Sequence, residues 1–264
     1  MDAVTTDPMP TIYISHGGGP CFFMDWDPPH AWDGLRAALE SIGPSLPRTP
    51  TAILVVSAHW ESPDIAIDVG ASPHLIYDYG GFPAHTYQLT YPAPGAPDVA
   101  RRAAGLLEQA GIAHHMEDRG WDHGVFVPLK VMYPEADVPI VAMSVRHDLD
   151  PTAHLELGRA LRPLRDEGVL IVGSGSSFHN FAAFGSPRAV EFDDWLCTVA
   201  ALPDQERRAA LTRWEDAPAA RIAHAREEHL IPLMVAAGAA DDVAGTAFFR
   251  GQLLDTAMSC FRFD

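Results

Sequence analysis

Short apolar runs alternate along the chain with longer stretches in which apolar residues recur every three to four positions. The first pattern predicts β-strands and the second predicts amphipathic helices. We predict strands over Thr11–Ser15, Ala52–Ser57, Ile65–Val69, Pro139–Val145 and Val169–Gly173, with two more near Thr246–Phe249 and Met258–Phe263. We predict helices over Asp33–Ser41, Pro97–Ala110, Val127–Met132, Pro151–Asp166, Ala189–Ala201, Gln205–Trp214 and Pro218–Ala237.

This order of elements defines a fold class. The segments AILVVS (52–57) and VLIVG (169–173) are almost continuously apolar, which is typical of strands covered by helices on both faces. Alternating strands and helices predict an α/β fold, a three-layer α/β/α sandwich with a central, largely parallel or mixed sheet. The 23 prolines are dispersed and no repeat or low-complexity tract divides the chain, so we predict a single domain over residues 1–264.

Three histidines follow predicted strands. His16 comes directly after TIYIS and is followed by three glycines, His59 comes two residues after AILVVS, and His179 follows VLIVG across a Gly/Ser turn. Ligands of open α/β sheets bind outside the carboxyl ends of the strands, so parallel strands would bring these imidazoles to one rim. Each histidine alone is also explained as a hydrogen-bonded loop residue. Three histidines at equivalent positions after strands favour a shared ligand-binding site.

Two further histidines are candidates. On a helix, His229 would share a stripe with Ile222 and Leu233 and face inward, although Pro232 either kinks this helix or starts a new one. His123 lies in a glycine-bracketed loop beside Asp122, a placement that suits acid/base chemistry. The simpler interpretations are a buried structural histidine for His229 and a solvated loop histidine for His123. We expect most of the other eight, such as His154 and His224, to be solvated.

Net charge, hydropathy and cysteine content limit the classes of binding partner and the cellular compartment. With 18 Lys+Arg against 35 Asp+Glu, the net charge of −17 disfavours nucleic acid and anionic membrane surfaces. The longest apolar stretch, Leu230 to Ala240, is interrupted by Pro232 and Gly238 and is too short to span a bilayer. Residues 1–10 lack a signal-peptide pattern, and the three cysteines form no C-x-x-C, so we expect a reducing cytoplasm.

Several chemistries are excluded by missing motifs. The chain has no G-x-S-x-G, no H-E-x-x-H, and no Walker lysine in the 173–177 Gly/Ser segment. Three imidazoles with open positions could instead hold Fe(II) for dioxygen chemistry or Zn(II) for hydrolysis. A histidine-bound metal enzyme is therefore the favoured class, with a catalytically silent metal-binding or aromatic-ligand-binding protein as the alternative from another class.

Six short segments together resemble a known family. They are Ser15–Gly18 (SHGG), Ser57–Trp60 (SAHW), Tyr79–Pro83 (YGGFP), Tyr91–Gly95 (YPAPG), Trp121–Gly124 (WDHG) and Glu228–Leu233 (EHLIPL). In order and spacing they resemble the DOPA-dioxygenase type of the class III extradiol ring-cleavage dioxygenases, which is related to the catalytic subunit of protocatechuate 4,5-dioxygenase. The resemblance implies an α/β fold with one non-haem metal at the strand ends. It also implies insertion of both atoms of O2 into a catechol, next to the diol, to give a muconic semialdehyde.

The resemblance also implies roles for single residues. His16, His59 and His229 match metal ligands, and His179 matches the acid/base histidine, which some members count as a fourth ligand. His123 matches a histidine that orients the substrate, and Tyr79 and Phe82 belong to a segment that lines the pocket. The implied cofactor is Fe(2+), with Zn(2+) found in its place in some members. A zinc-dependent hydrolase and a homo-oligomer stay open, as does the identity of the catechol.

Overall fold

The computed structural model describes residues 7–264, so residues 1–6 of the N-terminal segment discussed above lie outside it. Eight strands form one sheet in the order β4-β3-β5-β2-β6-β1-β8-β7. They are β1 (Thr11–Ser15), β2 (Ala52–Ser62), β3 (Ile65–Asp68), β4 (His114–Glu117), β5 (Ile140–Arg146), β6 (Val169–Gly175), β7 (Gly245–Leu253) and β8 (Thr256–Phe263). The helices are α1 (Asp33–Glu40), α2 (Ile42–Ser45), α3 (Pro97–Gln109), α4 (His123–Met132), α5 (Pro151–Leu161), α6 (Pro163–Asp166), α7 (Ala189–Ala200), α8 (Asp204–Thr212), α9 (Ala220–Ala223) and α10 (Ile231–Ala239).

The centre of the sheet is parallel. β5, β2, β6 and β1 pair in parallel, whereas β8 runs antiparallel to β1 and forms a hairpin with β7. The β3 strand joins β5 antiparallel and carries β4 at the edge. Because Ile, Val and Leu fill β2, β5 and β6 on both faces, these strands are fully buried at almost every position. The prediction of a largely parallel or mixed α/β sheet is confirmed.

Helices cover both faces of this sheet. On one face α10 packs against β6, where its Pro232 carbonyl approaches Gly173, and α5 packs on α10. On the other face α4 packs against β2 and β6, and the Ser174 hydroxyl of β6 donates to the Gly124 carbonyl of α4. Gly173 and Ser174 are consecutive strand residues and point to opposite faces, which separates the two helical layers. Within residues 7–264, no helix is long and apolar enough to cross a membrane.

Three element predictions were wrong. The helix expected over Pro218–Ala237 is broken into α9 and α10, with a turn at 225–230 between them. The edge strand β4 was missed because its sequence, HHME, has no apolar alternation. The helix expected over Pro151–Asp166 ends at Leu161, and Pro163 starts the short α6, because proline is tolerated in the first turn of a helix but not in its interior.

Candidate metal centre

The first candidate histidine, His16, is positioned by β1 and by the glycine turn after it. Its backbone N–H donates to the Gly175 carbonyl of β6 (2.9 Å), which extends the parallel pairing past Ser15. Gly17 then adopts a φ of +86°, and a Cβ at this position would lie 2.3 Å from Cys21 Sγ. Only glycine accepts both this backbone and this contact, so the turn folds closely around the imidazole.

His59 lies inside β2, whereas the sequence predicted that this strand ends at Ser57. In register with β5, Ser57 pairs with Ser144 and Glu61 with Val145, so the residues between Ser57 and Glu61 have no partners on β5. Such a bulge re-aims the side chains that it contains. It brings His59 next to His16 at the carboxyl end of the sheet.

His229 reaches the same point from the turn before α10, so the predicted helical stripe with Ile222 and Leu233 was wrong. Its carbonyl accepts hydrogen bonds from Tyr13 Oη (2.8 Å) and from the Ser176 backbone N–H (3.1 Å). A Cβ on Gly175 would lie 2.0 Å from this carbonyl oxygen. The absence of a side chain at Gly175 therefore lets the backbone of His229 lie directly against the end of β6.

These three imidazoles form a compact cluster. His59 Nε2 lies 3.1 Å from His16 Nε2 and 3.1 Å from His229 Nε2. One nitrogen from each of the three residues lies within 4.8 Å of the others, which is compatible with a shared metal ion. The three side chains are buried or nearly so, with His16 1% and His229 4% exposed.

The neighbours of the cluster define its tautomers. His16 Nδ1 lies 3.0 Å from the Ser174 hydroxyl, which already donates to Gly124, so Nδ1–H must be the donor. His59 Nδ1 lies 3.4 Å from an Asp78 oxygen, and His229 Nδ1 lies 3.0 Å from a Glu228 oxygen. Ionised carboxylates only accept, so Nδ1 of His229 carries the proton, and Asp78 favours the same tautomer for His59. In this tautomer each Nε2 presents a lone pair.

The donor set fits a bound cation. Lone pairs that face each other at 3.1 Å repel unless a positive charge lies among them. Burial lowers the pKa of His16 and His229 well below the usual value, and burial together with the neighbouring His123 lowers that of His59 to about 4. Neutral imidazole is the form that binds metal, and outer carboxylates that hold Nδ1–H are typical of metal-binding histidines.

The two remaining candidates flank this cluster. His123 is the first residue of α4, not part of a loop, and its Nδ1 lies 2.8 Å from Asp78 Oδ1. His179 Nδ1 lies 3.0 Å from Glu228 Oε1, and its ring stacks on that of His229 with centroids 3.4 Å apart. The same tautomer argument leaves a free Nε2 on each ring. Both rings line one cavity of about 550 Å³ together with His16, His59 and His229.

Two carboxylates organise these histidines. Asp78 contacts His59 and His123, and Glu228 contacts His229 and His179. Burial alone would raise the pKa of each carboxylate, but contacts with the histidines outweigh it: the pKa of Asp78 falls to about 2, and that of Glu228 lies below its usual range. No sequence pattern predicted Asp78; the one available signal was its position directly before the pocket segment Tyr79–Pro83.

The other residues that the sequence singled out lie around this centre or away from it. The position of Asp122 beside His123 suggested a contact with that imidazole, but the structure shows none. Asp122 instead accepts hydrogen bonds from Ser57 Oγ (2.7 Å) and Arg119 Nη1 (2.8 Å). Tyr79 and Phe82 line the cavity. His154 and His224 are fully buried, contrary to the expectation of solvation. Each is held by backbone groups, His154 by Arg146 and Asp150 and His224 by Ser177.

Comparisons with known proteins identify the family. Residues 10–256 match the family described as "Catalytic LigB subunit of aromatic ring-opening dioxygenase". The chain belongs to this family. It is 42% identical to a 4,5-DOPA dioxygenase extradiol of Beta vulgaris over 88% of this chain and 87% of that one. It is 32% identical to a protein of the same name from Escherichia coli K12, over 88% and 86% of the two chains.

Two further comparisons agree with this membership. A "Dioxygenase tasH" of Hapsidospora irregularis is 38% identical over 93% of this chain and 82% of its own. The crystal structure of an uncharacterized Escherichia coli K12 protein superposes with a TM-score of 0.79 at 28% identity, covering 97% of this chain and 100% of that one. The resemblance to the DOPA-dioxygenase type of extradiol enzyme is confirmed, and the protein is an extradiol dioxygenase of this metal-dependent, aromatic ring-opening family with a histidine-rich potential metal site.

Proposed function

We propose that the protein is a non-haem Fe(II)-dependent dioxygenase that opens a catechol ring next to its diol and yields a hydroxymuconic semialdehyde. The observation that carries the proposal is the convergence of three neutral Nε2 atoms, 3.1 Å apart in successive pairs, in a cavity that also holds two imidazoles with a free Nε2. His16, His59 and His229 would hold the iron. When bound, the iron supplies Lewis acidity toward the diol oxygens and a redox-active centre for O2.

In this proposal His179 moves the proton. Its Nδ1–H is held by Glu228, so its Nε2 can accept the proton of a substrate hydroxyl as the diol ionises. The resulting imidazolium is stabilised by the Glu228 carboxylate and can return the proton to a later intermediate. His179 does not belong to the group of His16, His59 and His229, whose ligand nitrogens all lie within 4.8 Å of one another, and this supports an acid/base role over that of a fourth ligand.

His123 orients the substrate in this proposal. Its ring and its backbone N–H are both bound by Asp78, at 2.8 Å and 3.0 Å. The ring is therefore fixed, and its Nε2 offers a directed hydrogen-bond partner for a substrate hydroxyl. Tyr79, whose ring centroid is 5.7 Å from that of His123, extends this wall toward the body of the aromatic ring.

Anaerobic reconstitution tests the proposed function. The purified protein is stripped of metal, reloaded with Fe(II) or with Zn(II), and mixed with a panel of catechols under a known amount of O2. We expect O2 uptake equal to catechol consumed, with a new absorbing semialdehyde, in the iron form alone. An iron-bound protein that consumes no O2 with any catechol, while its zinc form hydrolyses esters, would instead support the zinc-dependent hydrolase.

A further inference from the structure

The cavity has two chemically different ends. The five histidines form one end, and the rest of the lining consists of aromatic and aliphatic side chains with a few small residues. Trp26 and Trp32 come from the segment between β1 and α1, and Phe178, Phe181 and Phe184 follow β6. Leu254 and Met258 of the β7–β8 hairpin complete this apolar end.

The apolar end offers no partner for a charged group. No Lys, Arg, Asp or Glu occurs among the described residues that line the cavity. Its two hydroxyls and one of its indoles are used internally: Tyr79 Oη donates to the Thr86 carbonyl (2.7 Å), Ser176 Oγ to the Phe178 carbonyl (2.8 Å) and Trp26 Nε1 to the Cys21 carbonyl (2.8 Å). The indole N–H of Trp32 and the main chain of the Gly17–Gly19 turn remain, and they carry no net charge.

A charged substituent on the substrate would be desolvated in this part of the cavity without a charged partner. A carboxylate on the substituent would leave water with no cation in the lining to pair with it. An ammonium group would reach aromatic rings alone, since the lining holds no acidic side chain to neutralise it.

The size of the cavity points the same way. At about 550 Å³ it lies in the range of cavities that bury drug-sized ligands, and a bare dihydroxybenzene would leave much of it unfilled. A substituent placed against the exposed Phe181 and the half-buried Phe184 would remove apolar surface from water on both partners. We propose, on the basis of the proposed function, that the substrate is a catechol with an uncharged, apolar alkyl or aryl substituent.

A matched series of catechols tests this substrate class. The iron-loaded protein is assayed with 4-methyl-, 4-butyl- and 4-phenylcatechol against DOPA, dopamine and 3,4-dihydroxybenzoate. We expect kcat/KM to rise about threefold for each added methylene. It should exceed that of each charged analogue by about 100-fold or more, because the charge is buried unpaired. A charged catechol that equals or surpasses 4-butylcatechol would overturn the inference.

Anaerobic binding separates this inference from the proposed function. Quenching of the cavity tryptophans Trp26 and Trp32 reports binding of 4-butylcatechol or DOPA without turnover. If the iron-loaded protein binds 4-butylcatechol far more tightly than DOPA but consumes no O2, the proposed function fails and the substrate class stands. If DOPA binds as tightly as 4-butylcatechol, the substrate class fails whatever the turnover.

A charge added to the lining provides a gain-of-function test. Leu254 is half-buried in the turn between β7 and β8, where a longer side chain can be tolerated. We expect Leu254→Arg to raise the kcat/KM ratio of 3,4-dihydroxybenzoate to 4-methylcatechol about tenfold or more, because it supplies the missing cation. Leu254→Gln, of similar length and uncharged, should leave the ratio near wild type. Equal ratios in the two variants, with both folded by circular dichroism, would count against the proposal.

Discussion

The two flanks of the histidine cluster are built from the same parts but are held differently. On one flank Asp78 contacts His59 and His123 through separate oxygens; on the other, a single oxygen of Glu228 contacts both His229 and His179. The side chain of His123 is 8% exposed and that of His179 is 23% exposed. The Asp78 flank thus holds the more enclosed outer imidazole, and the Glu228 flank holds the more accessible one.

The backbone reinforces this difference. The N–H of His123 donates to the same Asp78 carboxylate as its ring, at the start of α4. The N–H of His179 donates instead to the Ala223 carbonyl (2.9 Å), so the Glu228 carboxylate holds its ring but not its backbone. A fixed ring suits orientation of a substrate, and a more exposed ring suits proton exchange. This contrast supports different roles for two histidines with the same tautomer.

The largest effect on turnover is expected on the accessible flank. His179→Ala should retain most of the iron but lower kcat about 10²–10⁴-fold, the loss typical of a general acid/base. Iron content by mass spectrometry and steady-state kinetics on the same sample decide the matter. A variant that loses its iron outright would make His179 a fourth ligand and remove the contrast between the flanks.

A side chain at Gly175 of β6 should weaken metal binding more than it slows turnover. Gly175→Ala forces the His229 carbonyl away, and we expect iron affinity to fall about 10–100-fold, as when groups that support a ligand are lost. Gly105→Ala is the matched control, because a Cβ there meets no atom within 4 Å. Titration of both apo-proteins with Fe(II) checks this; equal affinities would show that Gly175 does not position His229.

A smaller effect is expected on the Asp78 flank. His123→Phe removes one hydrogen bond to the substrate, so KM should rise or kcat fall by about fivefold, since such a bond contributes roughly 1 kcal/mol. Iron content should stay near wild type, because His59 and the other two ligands are untouched. Unchanged kinetic constants with the same catechol would return His123 to a structural role.

A buried histidine outside the site, His154, shows how burial alone makes the stability of the protein depend on pH. Burial lowers the pKa of His154, whose Nε2 accepts from the Arg146 N–H (2.9 Å). The unfolded chain, with a pKa near 6.5, then binds the proton more readily than the folded one. The stability that depends on neutral His154 is therefore fully present above about pH 6.5 and is lost as the pH falls below that value. The free energy of unfolding changes by at most about 1.4 kcal/mol per pH unit for one such group.

The matching measurement compares two variants by urea unfolding at pH 7 and pH 5.5. His154→Gln should be less stable at pH 7 but lose less stability on acidification than wild type, because one titrating group has gone. His115→Gln, at an exposed position of β4, should follow wild type at both pH values. If the acid-induced loss in His154→Gln equals that of wild type, His154 does not contribute to it.

Much of the fold and part of the site could be predicted from the sequence because both depend on the buried parallel strands. Continuous Val/Ile/Leu runs identify the parallel strands, and residues at their carboxyl ends converge by topology, which placed His16, His59 and His179 at one rim. Asp78 lies in a long loop far from any strand end, so no periodicity marked it. Its place depends on tertiary packing of that loop beneath His59 and His123.

The position of His229 was found for an incorrect reason. Apolar spacing continues from Ile222 to Leu233 and predicts one helix. Periodicity does not show, however, from which donor each backbone carbonyl accepts its hydrogen bond. Tyr13 and Ser176 bind the carbonyl of His229, which ties this turn to the sheet and ends the helical path. Only the long-range contact, absent from any local window, separates α9 from α10.

The most direct test of the metal centre is the iron content of His59→Ala. His59 Nε2 is the atom 3.1 Å from both His16 Nε2 and His229 Nε2, so its loss opens the centre of the cluster. We predict that the folded variant, reconstituted and dialysed beside wild type and the exposed control His115→Ala, retains iron at background level and consumes no O2 with any catechol. A His59→Ala protein with native circular dichroism and wild-type iron content would contradict the account.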